Sequence, residues 1–312
     1  MRLLELVKKA SDTLARAGIE DALPDAEMLV FQAVGMDRLD AYLNNPEVNR
    51  ADAAKAGRFI RRRAEGEPVQ YLIGHVEFFG LTIKVGRGVL IPRPETELLV
   101  EEAIQTVRSE ASGVRSRKKS SPAVSHALLL TPRPSLSFLD LCTGSGCIAL
   151  SLAKEFSDAE VVGTDLSKEA LVFAKRNATL NNIRNVRFLQ GPLFEPVKGR
   201  RFHAITANPP YIRRDELATL QREVRDWEPV AALDGGEDGM DFYRLILSSA
   251  AEYLTTDGII FLELGYDQAE AVREIAVGNG LGDVAVIDDY AGIGRILKAR
   301  AGGDGQSSHL QG

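Results

Sequence analysis

From Ser135 onward the chain alternates short apolar runs of strand type with longer stretches of helical period, and this alternation restricts the fold more than any other feature. SLSFLDL, AEVVGTD, VRFLQ, FHAITA, GIIFLELG, DVAVIDD and GRILKAR are rich in the β-branched and aromatic residues of strands. Between them GCIALSLAKEF, SKEALVFAKRNATLNN, MDFYRLILSSAAEYL and QAEAVREIAVG carry apolar residues at helical spacing, with Asp241 placed to cap the third. Strands separated by helices predict an α/β fold, a doubly wound and mostly parallel sheet with helices on both faces. Such sheets bind ligands outside the carboxyl ends of their strands, so the loops there carry the chemistry.

Three of these loops are informative. In LDLCTGSGCIAL, residues 139–150, a strand enters a glycine-rich turn and a helix begins. Gly144 and Gly146 allow a tight turn and close approach of a ligand to the free N–H groups at the helix start. Asp165, in VVGTDLS, ends the next strand about twenty residues later, where a carboxylate can accept both hydroxyls of a ribose. This spacing predicts an adenosine-containing ligand and leaves a nicotinamide cofactor and S-adenosylmethionine open. A plain strand–helix crossing and a helix-capping aspartate are the competing structural readings.

The third loop, TANPPYI at residues 206–212, follows the fourth strand. Pro209 and Pro210 lack N–H groups and hold their predecessors extended, so the turn keeps its carbonyls and loses two donors. With the side-chain oxygen of Asn208 and the ring of Tyr211, it makes a stiff surface of acceptors. Acceptors without donors suit a neutral planar –NH2 group. An ordinary turn is the alternative, because Asn-Pro often starts one.

Residues 1–72 read as helices only: LLELVKKASDTLARAG, DAEMLVFQAVG and ADAAKAGRFIRRRAEG, with Gly18, Gly35 and Gly66 at the expected ends. Residues 73–107 predict a β-hairpin in HVEFFGLTIKVGRGVLI and a linker helix opened by IPRPETE. Residues 108–135, dominated by serine, proline and basic residues, read as a flexible insertion; 136–300 form the α/β domain, and 301–312 a disordered tail. A formal charge of −6 argues against a nucleic-acid partner held by phosphate contacts. No apolar run is long enough to span a membrane and no signal-peptide core follows the start, so a cytoplasmic location is expected. Cys142 and Cys147 form neither a disulfide framework nor a zinc pattern and read as small buried residues. His75, His126, His203 and His309 are scattered, so no metal is expected. DGGEDGMD fails the calcium-loop template, with Gly236 and Leu245 at ligand positions, and reads as a backbone turn.

Asn-Pro-Pro-Tyr after the fourth strand, with the glycine loop and Asp165, resembles the amino-methyltransferases that use S-adenosylmethionine. IPRPETE at 91–97 and EPVAALDGGEDGMDFYR at 228–244 narrow the resemblance to the HemK/PrmC-type release factor glutamine methyltransferases, over roughly 1–107 and 136–300. The resemblance implies a Rossmann-like class I methyltransferase domain at 136–300 with a small helical substrate-docking domain at 1–72. It implies S-adenosylmethionine as methyl donor, S-adenosylhomocysteine as product, and class 1 peptide chain release factors as partners. Their Gly-Gly-Gln glutamine is the expected acceptor. Asp140, Cys142, Thr143, Gly144, Ser145, Gly146, Asp165, Leu193 and Asn208 are then expected at the cofactor. Asn208, Pro209, Pro210 and Tyr211 are expected at the substrate, with Asn208, Pro209 and Tyr211 in the chemistry. The family's usual glycine is replaced by Cys142, and the acidic residue of many members by Pro192. A DNA or RNA adenine amino-methyltransferase is the alternative, since adenine offers the same –NH2. A nicotinamide-dependent dehydrogenase leaves NPPY unexplained, and a non-catalytic adapter leaves it without purpose.

Overall fold

A computed structural model describes residues 1–111 and 136–302. In chain order its first helices are α1 (Leu3–Arg16), α2 (Ala22–Val34), α3 (Arg38–Asn44), α4 (Arg50–Ala64) and α5 (Val69–Ile73). A hairpin of β1 (His75–Phe78) and β2 (Leu81–Lys84) follows, then α6 (Glu95–Ala111). Next come β3 (Ser137–Leu141), α7 (Cys147–Glu155), β4 (Glu160–Asp165), α8 (Lys168–Leu180), β5 (Val186–Gln190) and β6 (Phe202–Ala207). The rest are α9 (Arg222–Trp227), α10 (Asp241–Tyr253), β7 (Leu254–Glu263), α11 (Ala269–Gly278), β8 (Gly282–Asp288) and β9 (Gly294–Arg300). The chain divides into two compact units.

The first unit gathers Met1–Val76, Lys84–Ile91 and Asp215–Val230. In α1 the buried Leu3, Val7, Ala10 and Leu14 recur at helical spacing and join Ala26, Leu29 and Val30 of α2 in one apolar core. Asp37 and Asn49 cap α3 and α4 by accepting the N–H of Asp40 (2.8 Å) and of Asp52 (2.9 Å). Buried Arg63 of α4 donates to Asp25 of α2 (2.6 Å) and also pairs with Glu223 of α9. The segment 215–230 is thereby part of the helical unit, although it follows NPPY in sequence. Three helices were expected in 1–72 and five form. α3 escaped because Ala41 is its one buried residue, so it has no apolar stripe.

The hairpin is shorter than expected, with no strand beyond Lys84. Phe79 and Gly80 connect its strands, both at positive φ (47° and 67°), as a right-twisted two-residue hairpin turn requires.

Among the described residues the second unit holds 77–83, 92–111, 136–214 and 231–302. Its seven-stranded sheet has the order β5-β4-β3-β6-β7-β9-β8. β5, β4, β3, β6 and β7 run parallel, and β9 is antiparallel to both β7 and β8. Parallel strands covered on both faces are buried along most of their length, as β3, β4, β6 and the Gly258–Glu263 part of β7 are. The chain lays down β3, β4 and β5 in one direction, then crosses over to β6 on the other side of β3. That reversal opens a crevice at the carboxyl ends of β3 and β6. Leu141 pairs with both Thr164 and Ala207, so the loops after β3, β4 and β6 emerge together.

Three boundaries differ from the sequence reading. α6 continues through 108–111, which were expected to begin the insertion, because Arg108 pairs with Glu155 and Glu110 with Arg300. Residues 112–135 and the tail from 303 lie outside the described residues. Asp241 does not cap α10 but is its first residue; Met240 is the cap position, its N–H held by Asp238 (3.1 Å). β7 starts at Leu254, before GIIFLELG, because buried Leu254 pairs with Phe202.

Candidate active site

The loop after β3 takes left-handed backbone at every second residue, with φ of 54° at Cys142, 55° at Gly144 and 81° at Gly146. Cys142 and Gly144 are partly exposed, whereas Thr143, Ser145 and Gly146 are buried. Cys142 is therefore not the buried residue that was expected, and it carries an L side chain in a conformation that glycine adopts more easily. Desolvation and the Asp165 and Asp140 carboxylates push its thiol upward, which disfavours the thiolate.

Much of the hydrogen bonding expected of a ligand at this turn is supplied by the protein. Gly144 N donates to Asp165 Oδ2 (2.8 Å), Gly146 N to the Thr143 carbonyl (2.8 Å), and the Ala149 N–H to Asp140. Asp140 is fully buried, and its oxygens accept the hydroxyls of Thr143 (2.6 Å) and Thr206 (3.0 Å). It thus ties the loop to β6 and the start of α7. Burial pushes its carboxyl up to about 7, against the two threonine hydroxyls that favour the charge.

Asp165 ends β4 and is partly exposed. Its two oxygens accept one backbone N–H each, from Gly144 and from Ser167 (2.8 Å). The Leu166 N–H adds a third backbone contact, so the carboxylate is fixed, and about four acceptor sites against three donors leave capacity toward the crevice. Desolvation raises its pKa, while the Ser167 and Gly144 N–H groups oppose the shift. Leu166 beside it is 68% exposed, an apolar side chain turned to solvent at the mouth of the crevice. Leu193 is partly exposed at φ 42°, with its carbonyl held by the Thr164 hydroxyl (2.9 Å).

After β6, Pro209 and Pro210 are buried, and Asn208 and Tyr211 are partly exposed. Asn208 Nδ2 donates to Thr96 Oγ1 (3.2 Å), and Thr96 donates to Glu263 Oε2 (2.7 Å). The Tyr211 hydroxyl points at Glu263 Oε1 (3.5 Å), and its carbonyl accepts from Gln268 (2.8 Å). The loop 233–241 braces the same backbone: Ile212 N donates to Leu233 O (2.9 Å) and Gly235 N to Ile212 O (2.8 Å). A Cβ on Gly235 would stand 2.7 Å from the Tyr211 Cα, so only glycine allows this approach.

The glycine loop, Asp165 and NPPY thus lie at adjoining carboxyl ends of β3, β4 and β6, as the sequence required. Thr96, Leu166, Thr206 and Glu263 were missed. Thr96 lies in IPRPETE, a stretch noted without a role, and only the fold brings it to Asn208, 112 residues away.

Five parallel strands, a reversed β9 inserted before β8 and a glycine loop at the switch point define a Rossmann-like domain of the class I methyltransferase type. Solved structures share this fold: the hMettl16 catalytic domain in complex with a 3′UTR hairpin matches 82% of each chain at a TM-score of 0.52 and 16% identity. Family models for the PrmC N-terminal domain and the methyltransferase small domain match residues 5–74 and 106–225. The release factor glutamine methyltransferase of Thermodesulfovibrio yellowstonii is 43% identical, covering 88% of this chain and 90% of that one. Those of Geobacter sulfurreducens and Moorella thermoacetica are 41% and 40% identical, with coverage of 93% of both chains and of 96% and 98%. The chain belongs to the release factor glutamine methyltransferase family.

Proposed function

We propose that this enzyme transfers a methyl group from S-adenosylmethionine to the side-chain nitrogen of the Gly-Gly-Gln glutamine of class 1 peptide chain release factors. The observation that carries this reading is the orientation of Asn208: its Nδ2 is engaged by Thr96, which leaves Oδ1 as the acceptor beside two donor-free prolines. The donor and acceptor set fits the cofactor. Asp165 would accept from the ribose hydroxyls with its remaining acceptor capacity, Leu166 and Leu193 would cover the adenine, and Cys142 and Gly144 would face the rest. When bound, S-adenosylmethionine supplies a methyl group on a cationic sulfur.

The glutamine amide is a poor nucleophile because its lone pair is delocalised. Asn208 Oδ1 and the Pro209 carbonyl accept its two N–H bonds, which holds the nitrogen in place and stabilises the positive charge growing there. Orientation of this kind can supply about 7–11 kcal/mol of the barrier. Buried Pro210 and the Tyr211 ring, which packs on the core, wall off the amide plane and exclude water. A proton leaves readily once nitrogen is alkylated, so no strong base need stand at the amide.

In the same reading, residues 1–72 dock the protein substrate, through side chains such as Leu39 and Leu43 of α3, which are 69% and 72% exposed. The enzyme works in the cytoplasm, where release factors act. The test offers wild-type enzyme and methyl-labelled S-adenosylmethionine an equimolar mixture of release factor and duplex DNA. Label in the release factor is expected; label in DNA adenine instead would move the assignment to the nucleic-acid amino-methyltransferases.

A further inference from the structure

We propose that Glu263, acting through the Thr96 hydroxyl, is a positioning residue that decides which end of the Asn208 amide faces the methyl acceptor. The inference rests on the reading of Asn208 as the acceptor of the substrate N–H.

An asparagine amide has two nearly isosteric ends, an acceptor and a donor, and only its hydrogen-bond partners distinguish them. Thr96 Oγ1 has a single proton. Glu263 Oε2 takes that proton at 2.7 Å, so the Thr96 oxygen can only accept on its other side. Whatever stands there must donate, and Asn208 Nδ2 does so at 3.2 Å. Oδ1 is thereby turned toward the open side. Thr96 and Glu263 are 2% and 3% exposed, so no bulk water competes for these bonds.

The second carboxylate oxygen faces the Tyr211 hydroxyl, so both oxygens of one buried side chain address NPPY. Tyr243 bonds the backbone carbonyl of Glu263 (2.9 Å) and leaves the carboxylate to those two partners. The chain of polarity depends on an ionised Glu263. A protonated carboxyl would donate to Thr96, the threonine proton would turn to Asn208, and the amide would flip to present N–H to an N–H. Burial pushes the Glu263 carboxyl up to about 7. The Thr96 and Tyr211 hydroxyls and the Arg295 charge from β9 oppose that rise, and Glu95 of α6 adds to it.

Thr96→Val keeps shape and removes the relay. kcat for release factor methylation is expected to fall on the order of 100-fold, as for loss of one preorganised hydrogen-bonding group. The KM for S-adenosylmethionine should stay near wild type, the melting temperature should fall by only the few degrees that a lost donor to buried Glu263 entails, and Thr96→Ser should restore kcat. Wild-type kcat is expected to fall on acidification below about pH 7, and Glu263→Gln to lack that fall. Side-chain NMR of 15N-asparagine-labelled protein should show one Asn208 amide proton hydrogen-bonded in wild type and neither in Thr96→Val. Wild-type kcat in Thr96→Val, or joint loss of kcat, cofactor binding and melting temperature without rescue by serine, would overturn the proposal. Should wild type methylate no release factor, the proposed function fails, and the NMR signal still decides how Asn208 is held.

Discussion

At the scale of single residues, two buried or half-buried aspartates do different work. Asp165 is locked by two backbone N–H bonds and still has acceptor capacity toward the crevice. Asp165→Ala should weaken S-adenosylmethionine binding by about 1.5–3 kcal/mol, the range for a hydrogen bond to a charged group. Calorimetry showing unchanged affinity would place the ribose elsewhere. Asp140 instead carries a pKa raised from 3.8 to about 7 by burial. The folded state holds that proton longer than the unfolded state, so the contribution to stability is present at low pH and lost as pH rises from about 4 to about 7. Asn at position 140 cannot titrate. Unfolding free energies measured across that window should fall more steeply for wild type than for Asp140→Asn, and equal slopes would contradict the shift.

At the scale of elements, what the sequence revealed is what local signals encode. The strands, the glycine turn and the acidic end of β4 announce themselves within a few residues of one another. α3, with one buried residue, announces nothing. The support of NPPY was illegible for a different reason: Thr96 and Glu263 meet across 167 residues, and no local pattern records such a meeting. The same holds for the loop 233–241, whose glycines read as a turn without showing that they lie against Tyr211. Gly235→Ala would set a Cβ against backbone at 2.7 and 2.8 Å, atoms that cannot move aside as a side chain would. Displacing NPPY by less than an ångström should lower kcat by roughly 10- to 100-fold. Gly57→Ala in α4, where a Cβ meets nothing within 4 Å, is the control and should leave kcat unchanged. Equal rates for both variants would detach the loop 233–241 from catalysis.

At the scale of the whole molecule, recruitment falls to the helical unit and chemistry to the α/β unit in the proposed reading. Among the described residues no helix is long and apolar enough to cross a membrane. If α3 contributes to docking, Leu39→Asp with Leu43→Asp should raise the KM for intact release factor about tenfold. Both side chains are exposed, so stability should change by less than about 1 kcal/mol. An unchanged KM would move the docking surface off α3.

The central claim concerns one atom, the nitrogen of a glutamine side chain. It is tested most directly by supplying the enzyme with labelled S-adenosylmethionine and a release factor whose loop glutamine is replaced by glutamate, with wild-type factor in parallel, and mapping the label by mass spectrometry. A carboxylate has no N–H for Asn208 Oδ1 to hold and no nitrogen to alkylate, so label is expected on the glutamine of wild-type factor and nowhere on the variant. Label entering the glutamate variant at the wild-type rate would contradict the assignment.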